Sequence, residues 1–218
     1  MKSVIAGAFA LLVLANAQAQ PRETRGAAMG DFDFYVLSLS WSPSWCAITG
    51  TQRRSRQCDI GRNPGFVVHG LWPQNERGYP AFCGPDGRNP SRAAMDRAED
   101  VLPDQGLARH QWRKHGTCSG LSAEAYFEAT AAARRKVRIP AELAAPQASF
   151  QAGPLEVERL FAEANAGLRT DMMAVTCNRG LLEEIRICLT KDLRSFRPCP
   201  EVDRDSCRAR DLSVPSAR

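Results

Sequence analysis

Apolar and polar positions alternate with a period of two from Phe34 to Trp41 (FYVLSLSW), placing Tyr35, Leu37, Leu39 and Trp41 on one side and Ser38 and Ser40 on the other. That period predicts a strand, which Pro43 ends. Phe66-Val67-Val68 predicts a second, short strand that delivers His69 at its end, with Gly70 and Pro73 marking a turn. Asn89-Pro90 resembles an N-cap followed by proline at the first helical position, opening a helix to about Leu102. Gln105 to His115 has the composition of a helix, and Ser122 caps a further helix of high propensity from Ala123 to about Lys136. Pro154 opens another, in which Val157, Leu160, Phe161 and Ala164 recur at helical spacing and Gly167 supplies the stop. Met172 to Cys177 and Leu182 to Leu189 read as strands about the turn residues Asn178-Arg179-Gly180, with Ile185, Ile187 and Leu189 on one face. Strands and helices mix without a regular βαβ alternation, and no repeat or linker divides them. The expectation is one α+β domain over residues 20–218.

The first residues stand outside that pattern. Lys2 precedes an apolar run, Val4 to Leu14, that is too short to span a bilayer. Ala17-Gln18-Ala19, or Ala15-Asn16-Ala17, then offers a small-x-small cleavage site, so residues 1–19 are predicted to be a signal peptide. The mature chain is expected to be secreted or periplasmic, with no second stretch able to hold it in a membrane. Its length is ample for a buried core. Eight cysteines, an even number, then predict four disulfides in an oxidising compartment. Eight cysteines allow 105 pairings, and spacing does not choose among them. A zinc site is disfavoured, because the sequence has neither a CxxC pair nor a His-x3-His. The formal charge of +5 falls by one when Lys2 leaves, an excess compatible with a polyanionic partner but no argument for one. The basic clusters at Arg53-Arg54-Ser55-Arg56, Arg134-Arg135-Lys136 and Arg208-Ala209-Arg210 read as solvated faces.

Chemistry concentrates elsewhere. All three histidines fall in two short segments, FVVHGLWPQ (Phe66 to Gln74) and HQWRKHGTC (His110 to Cys118). On a helix, His110, Gln111, Lys114 and His115 share one face within about 140°, whereas Trp112 points away toward a core. Lys114 and an imidazolium suit a phosphate, since charge-assisted bonds to phosphate oxygens are the strong ones. A neutral imidazole takes a proton and a charged one gives it near neutrality. With His69 as partner, such a pair would cleave a phosphodiester that carries its own adjacent nucleophile, as the RNA 2′-hydroxyl does.

His69-Gly70-Leu71-Trp72-Pro73 and Trp112-Arg113-Lys114-His115-Gly116-Thr117-Cys118 resemble, in order, the two active-site segments of the T2 ribonucleases. The resemblance extends from the Phe34 strand to Cys207. It implies that His115 is the general base, His69 the general acid, Lys114 the stabiliser of charge on phosphorus, His110 a phosphate ligand and Trp72 a platform for a base. It also implies the bridges Cys46–Cys58, Cys83–Cys118, Cys177–Cys207 and Cys188–Cys199. One position departs from the pattern: the family commonly has glutamate where this chain has Gln111, and an amide holds no proton for transfer.

Taken together, these features predict a single domain with a central antiparallel sheet flanked by helices, acting as a metal-independent endoribonuclease without a cofactor. Its partner is expected to be single-stranded RNA, not DNA, and the chain a monomer. Two rivals stand beside this reading. One is a secreted RNA- or protein-binding member weakened in catalysis by Gln111; the other is a metal-dependent hydrolase built on the three histidines.

Overall fold

In the computed structural model, residues 22–59, 61, 62, 64–84, 89–102 and 104–217 are described. The predicted signal peptide lies outside them. The strands are β1 (Glu23–Arg25), β2 (Phe34–Trp41), β3 (Phe66–Gln74), β4 (Tyr79–Ala81), β5 (Phe150–Ala152), β6 (Met173–Asn178), β7 (Leu181–Thr190) and β8 (Leu212–Val214). Helices are α1 (Ser42–Trp45), α2 (Arg92–Glu99), α3 (Gln105–Lys114), α4 (Ala123–Lys136), α5 (Ala141–Ala144), α6 (Pro154–Ala164) and α7 (Pro200–Asp203). The class is α+β, a single domain around one central sheet.

That sheet runs β3-β2-β7-β6 with every neighbour antiparallel, and β8 joins it through one parallel pair, Leu181 with Ser213, carrying β5 beyond it. The β6–β7 hairpin closes on Arg179 and Gly180, both at positive φ (52° and 77°), the twist a two-residue hairpin requires. Alternation along β2 divides the two faces. Tyr35, Leu37, Leu39 and Trp41 enter the main core with Ile185, Ile187 and Leu189, under Tyr126 and Phe127 of α4 and Val157 and Phe161 of α6. Phe34 and Val36 face the other way, into a small cluster with Ala174, Cys188, Cys199 and Val202. That second face carries the polar chemistry.

The strand at Phe66 is longer than its sequence suggests. Instead of turning at Gly70, β3 continues through Pro73 to Gln74, because the whole segment pairs with β2. At β3 the register slips: Ser38 faces Gly70, but the next residue, Leu39, faces Val68, so His69 is an extra residue opposite none. In a strict alternation His69 would share the face of Leu71, which is fully buried in the core. The bulge turns it to the polar face while Val68 and Leu71 stay inside. Bulges re-aim a side chain in this way.

Helix α2 is shorter than expected at both ends. Ser91, not Asn89, caps α2, accepting from Ala94 N–H at 3.0 Å, so Pro90 precedes the cap, and the helix closes at Glu99. A serine hydroxyl satisfies an orphan N–H, a contribution of about 1 kcal/mol. Ser122 caps α4 in the same manner. Four disulfides join Cys46–Cys58, Cys83–Cys118, Cys177–Cys207 and Cys188–Cys199. Among the described residues no helix is long and apolar enough to cross a membrane.

Candidate active site

Helix α3 begins at Asp104, whose carboxylate accepts from Leu107 N–H at 2.7 Å, and ends at His115. Trp112 is buried against Tyr126, with ring centroids 5.9 Å apart, and this anchor sets the roll of the helix. The opposite side then presents His110, Gln111, Lys114 and His115 to a cleft of about 350 Å³. Across the cleft stand His69 and Trp72 of β3, Tyr79 of β4 and Arg186 of β7, with Asp205 beyond α7. His69, Trp72, His110, Gln111, Lys114 and His115, the site residues expected from the two histidine segments, therefore line one cavity.

Trp72 lies between the imidazoles. Its indole stacks on His115 (centroids 5.3 Å, 27° between planes) and meets His69 edge-on at 5.3 Å. Its N–H donates to Gln111 Oε1 at 2.9 Å. Gly70 is needed for this contact, because a Cβ there would sit 2.1 Å from Gln111 Oε1 and 2.4 Å from Trp72 Nε1. Gln111, 1% exposed, therefore acts as an acceptor that holds the ring. Trp72 itself has histidines for its immediate neighbours, a contact the sequence did not suggest.

The electrostatics separate the histidines. His115 is 6% exposed, and its Nδ1 has no hydrogen-bond partner among the described residues. Burial, then the charges of Lys114, His110 and His69, hold its pKa well below the ordinary 6.5, so the ring is neutral at physiological pH. His110 is also lowered, by burial first and then by Lys114, Arg113 and His69. His69 is placed differently: its Nδ1 is hydrogen-bonded to Glu184 Oε1. Burial opposes the charge of Glu184, but the hydrogen bond and charge of His69, with Arg186 and Ser40, outweigh it and hold that carboxyl at about 2. Glu184 and Arg186 were not picked out from the sequence. The signal was there in a strand buried on both faces, where a charge survives only if paired.

The strand pair β1–β4 closes one end. Glu23 of β1 bonds Arg25 at 2.7 Å and Tyr79 Oη at 3.1 Å and lies 3.4 Å from Lys114 Nζ, so a carboxylate already attends the ammonium. The loop after β4 is stitched to the end of α3 by Phe82 N–H to Lys114 O (2.9 Å), Cys83 N–H to Thr117 Oγ1 (3.2 Å) and the Cys83–Cys118 bridge.

The sequence pattern of the ribonuclease T2 family matches residues 32–199, which holds both histidine segments. The chain belongs to the ribonuclease T2 family. Among T2 relatives, a ribonuclease of Aeromonas hydrophila is 38% identical over 179 residues, covering 78% of this chain and 77% of its own. An RNase-related protein from Calystegia sepium has the same fold, with a TM-score of 0.66 at 21% identity over 86% of this chain and 98% of its own. RNase NT in complex with 5′-AMP matches with a TM-score of 0.60 at 24% identity over 78% and 91% of the two chains. Membership of the T2 family supports an endoribonuclease activity with RNA as the partner.

Proposed function

We propose that this T2 ribonuclease cleaves single-stranded RNA without a metal or cofactor, by transesterification between His115 and His69. The observation that carries the reading is one cleft in which both imidazoles touch Trp72, one buried and neutral, the other backed by an ionised carboxylate. Neutral His115 takes the 2′-hydroxyl proton as the 2′-oxygen–phosphorus bond forms. His69 gives a proton to the 5′-oxygen as the phosphorus–oxygen bond breaks, leaving a 2′,3′-cyclic phosphate. Water then opens the ring with the two roles exchanged. Lys114, helped by Arg186, stabilises charge on the phosphoryl oxygens, and His110 binds phosphate at the exposed lip. RNase NT, which shares the fold, was solved in complex with 5′-AMP, and this supports a nucleotide ligand for the present chain. Base stacking by Trp72 belongs to the same proposal and requires the ring to keep a free edge or face beside His115. Gln111 serves by accepting from Trp72, which an amide does as well as a carboxylate, so turnover survives the missing glutamate. Residues 1–19 act as a signal peptide, and the mature chain works as a monomer in the periplasm or medium, where its disulfides persist.

Purified protein is expected to digest single-stranded RNA in excess chelator, to leave DNA intact and to accumulate cyclic phosphate ends. Loss of activity in chelator with recovery on zinc would establish the metal-dependent rival. RNA binding without turnover, cured by Gln111→Glu, would establish the weakened one.

The pH profile follows from His115. The base works when unprotonated, and its pKa lies well below 6.5. As pH falls through 6.5, kcat/KM should therefore hold its plateau and decline only in distinctly acidic solution. Lys114→Met removes the largest charge acting on the ring and should move that acid limb to higher pH. A limb centred at or above 6.5 in the unaltered enzyme would contradict the assignment of His115 as a buried, neutral base.

A further inference from the structure

The carboxylate behind His69 has a geometry more specific than a buried ion pair requires. Glu184 lies on β7 opposite Ser40 of β2, and Arg186 is two residues on, on the same face. Its Oε1 receives His69 Nδ1 and Ser40 Oγ (3.0 Å), and its Oε2 receives Arg186 Nε at 3.1 Å. Arg186 is held in turn near Asp205, at 3.7 Å, and its guanidinium stands 5.4 Å from the Trp72 ring. Both oxygens are engaged from different directions, so the carboxylate cannot rotate away from the imidazole. Glu184 is 5% exposed and is absent from the lining of the cleft, which it meets through His69 and Arg186.

We infer that Glu184 is a positioning residue for the leaving-group step, holding the proton of His69 on Nδ1 so that Nε2 is the nitrogen presented to the 5′-oxygen. The inference rests on the assignment of His69 as general acid. An ionised carboxylate only accepts hydrogen bonds, so the nitrogen facing it must carry hydrogen. When His69 is an imidazolium, Nδ1–H remains bonded to Glu184 and only the Nε2 proton is free to leave. When the ring is neutral, the same contact keeps Nε2 unprotonated, ready to receive a proton in the second step. An amide in place of the carboxylate offers an acceptor without charge or, turned over, a donor that excludes the working tautomer. Ser40 and Arg186 are the supports that keep the oxygens in place.

Leaving-group chemistry separates this from a merely structural role. On a dinucleoside monophosphate, whose 5′-alkoxide must be protonated to depart, Glu184→Gln is expected to lower kcat about 10²–10³-fold, most of the worth of a general acid, with KM changed less than about threefold. On a nucleoside 3′-(p-nitrophenyl phosphate), whose phenolate departs without a proton, the loss should stay below about tenfold, since only the acid step is impaired. Nitrogen NMR of His69 should show hydrogen on Nδ1 in the neutral ring of the parent protein and a mixed or reversed tautomer in the variant. Ser40→Ala, which keeps the charge but frees the carboxylate, should show the same pattern, weaker. Equal losses on the two substrates, or full kcat on the dinucleoside, would overturn the inference. His69→Ala assayed in parallel keeps the two levels apart. If it is inactive on the dinucleoside while Glu184→Gln matches the parent, the positioning role alone falls; if it is active, the general-acid assignment falls first.

Discussion

His115→Ala and His69→Ala are each expected to lower kcat/KM on single-stranded RNA by about 10²–10⁴-fold, the worth of one general base or acid. The double variant should lose little beyond the worse single one, because two groups that act in one proton relay are not additive. The substitutions should differ in kind. With a p-nitrophenolate leaving group the protonated partner becomes dispensable, so His69→Ala should recover most of its activity and His115→Ala should recover none, since the 2′-hydroxyl must still be deprotonated. His115 is buried and stacked on Trp72, so its loss also leaves a cavity under the indole. Thermal unfolding of each variant separates that cost from chemistry: the fold should persist well above assay temperature while turnover is gone. A double variant as active as the parent would remove the basis of the mechanism.

How much of this was legible beforehand divides along the distance over which each feature is decided. The α3 face was legible because a helix is local: 100° per residue puts His110, Gln111, Lys114 and His115 together whatever surrounds them, and Trp112 behind them. The two faces of β2 were legible for the same reason, as its alternation is a property of eight consecutive residues. The course of β3 was not. Gly70 and Pro73 are turn formers in isolation, yet Tyr126 Oη donates to Leu71 O at 2.8 Å and β2 pairs with the segment through Gln74, so tertiary pairing overrides local preference. The bulge at His69 is likewise a relation between two strands, invisible in either one alone.

Glu184 shows the limit most plainly. It bonds to a histidine 115 positions away, and nothing near it in sequence points there. What the sequence did offer was a strand with Ile185, Ile187 and Leu189 on one side and Glu184 and Arg186 on the other, beside a cysteine at 188 that must be buried in a bridge. A charged pair on the second face of a central strand needs a reason, and here the reason is the site. The three-residue strands β1, β4, β5 and β8 are too short for any period to announce them.

Removing the Cys83–Cys118 bridge, by Cys83→Ala with Cys118→Ala, is expected to cost about 3–4 kcal/mol, the loop-closure entropy of a 35-residue separation. For a chain of this size that lowers Tm by roughly 10 °C. The bridge should also matter to catalysis well below the melting point. It ties the loop after β4, which is continuous with Trp72 and Tyr79, to the turn that carries Lys114 and His115, and among the described residues two backbone donors, Phe82 and Cys83, would remain across that junction. Looser registration of the base against His69 costs the near-attack geometry that an in-line displacement demands, so kcat should fall while KM changes less. Cys46–Cys58 is the control. Its separation of 12 residues gives a comparable stabilisation, about 3 kcal/mol, but none of the described residues of its loop lines the cleft. Its removal should therefore lower Tm and leave kcat at 25 °C unchanged. Equal loss of kcat in both variants would mean general loosening of the fold, and an unchanged kcat in the Cys83–Cys118 variant would mean that β3, β4 and α3 keep the two imidazoles in register without the bridge.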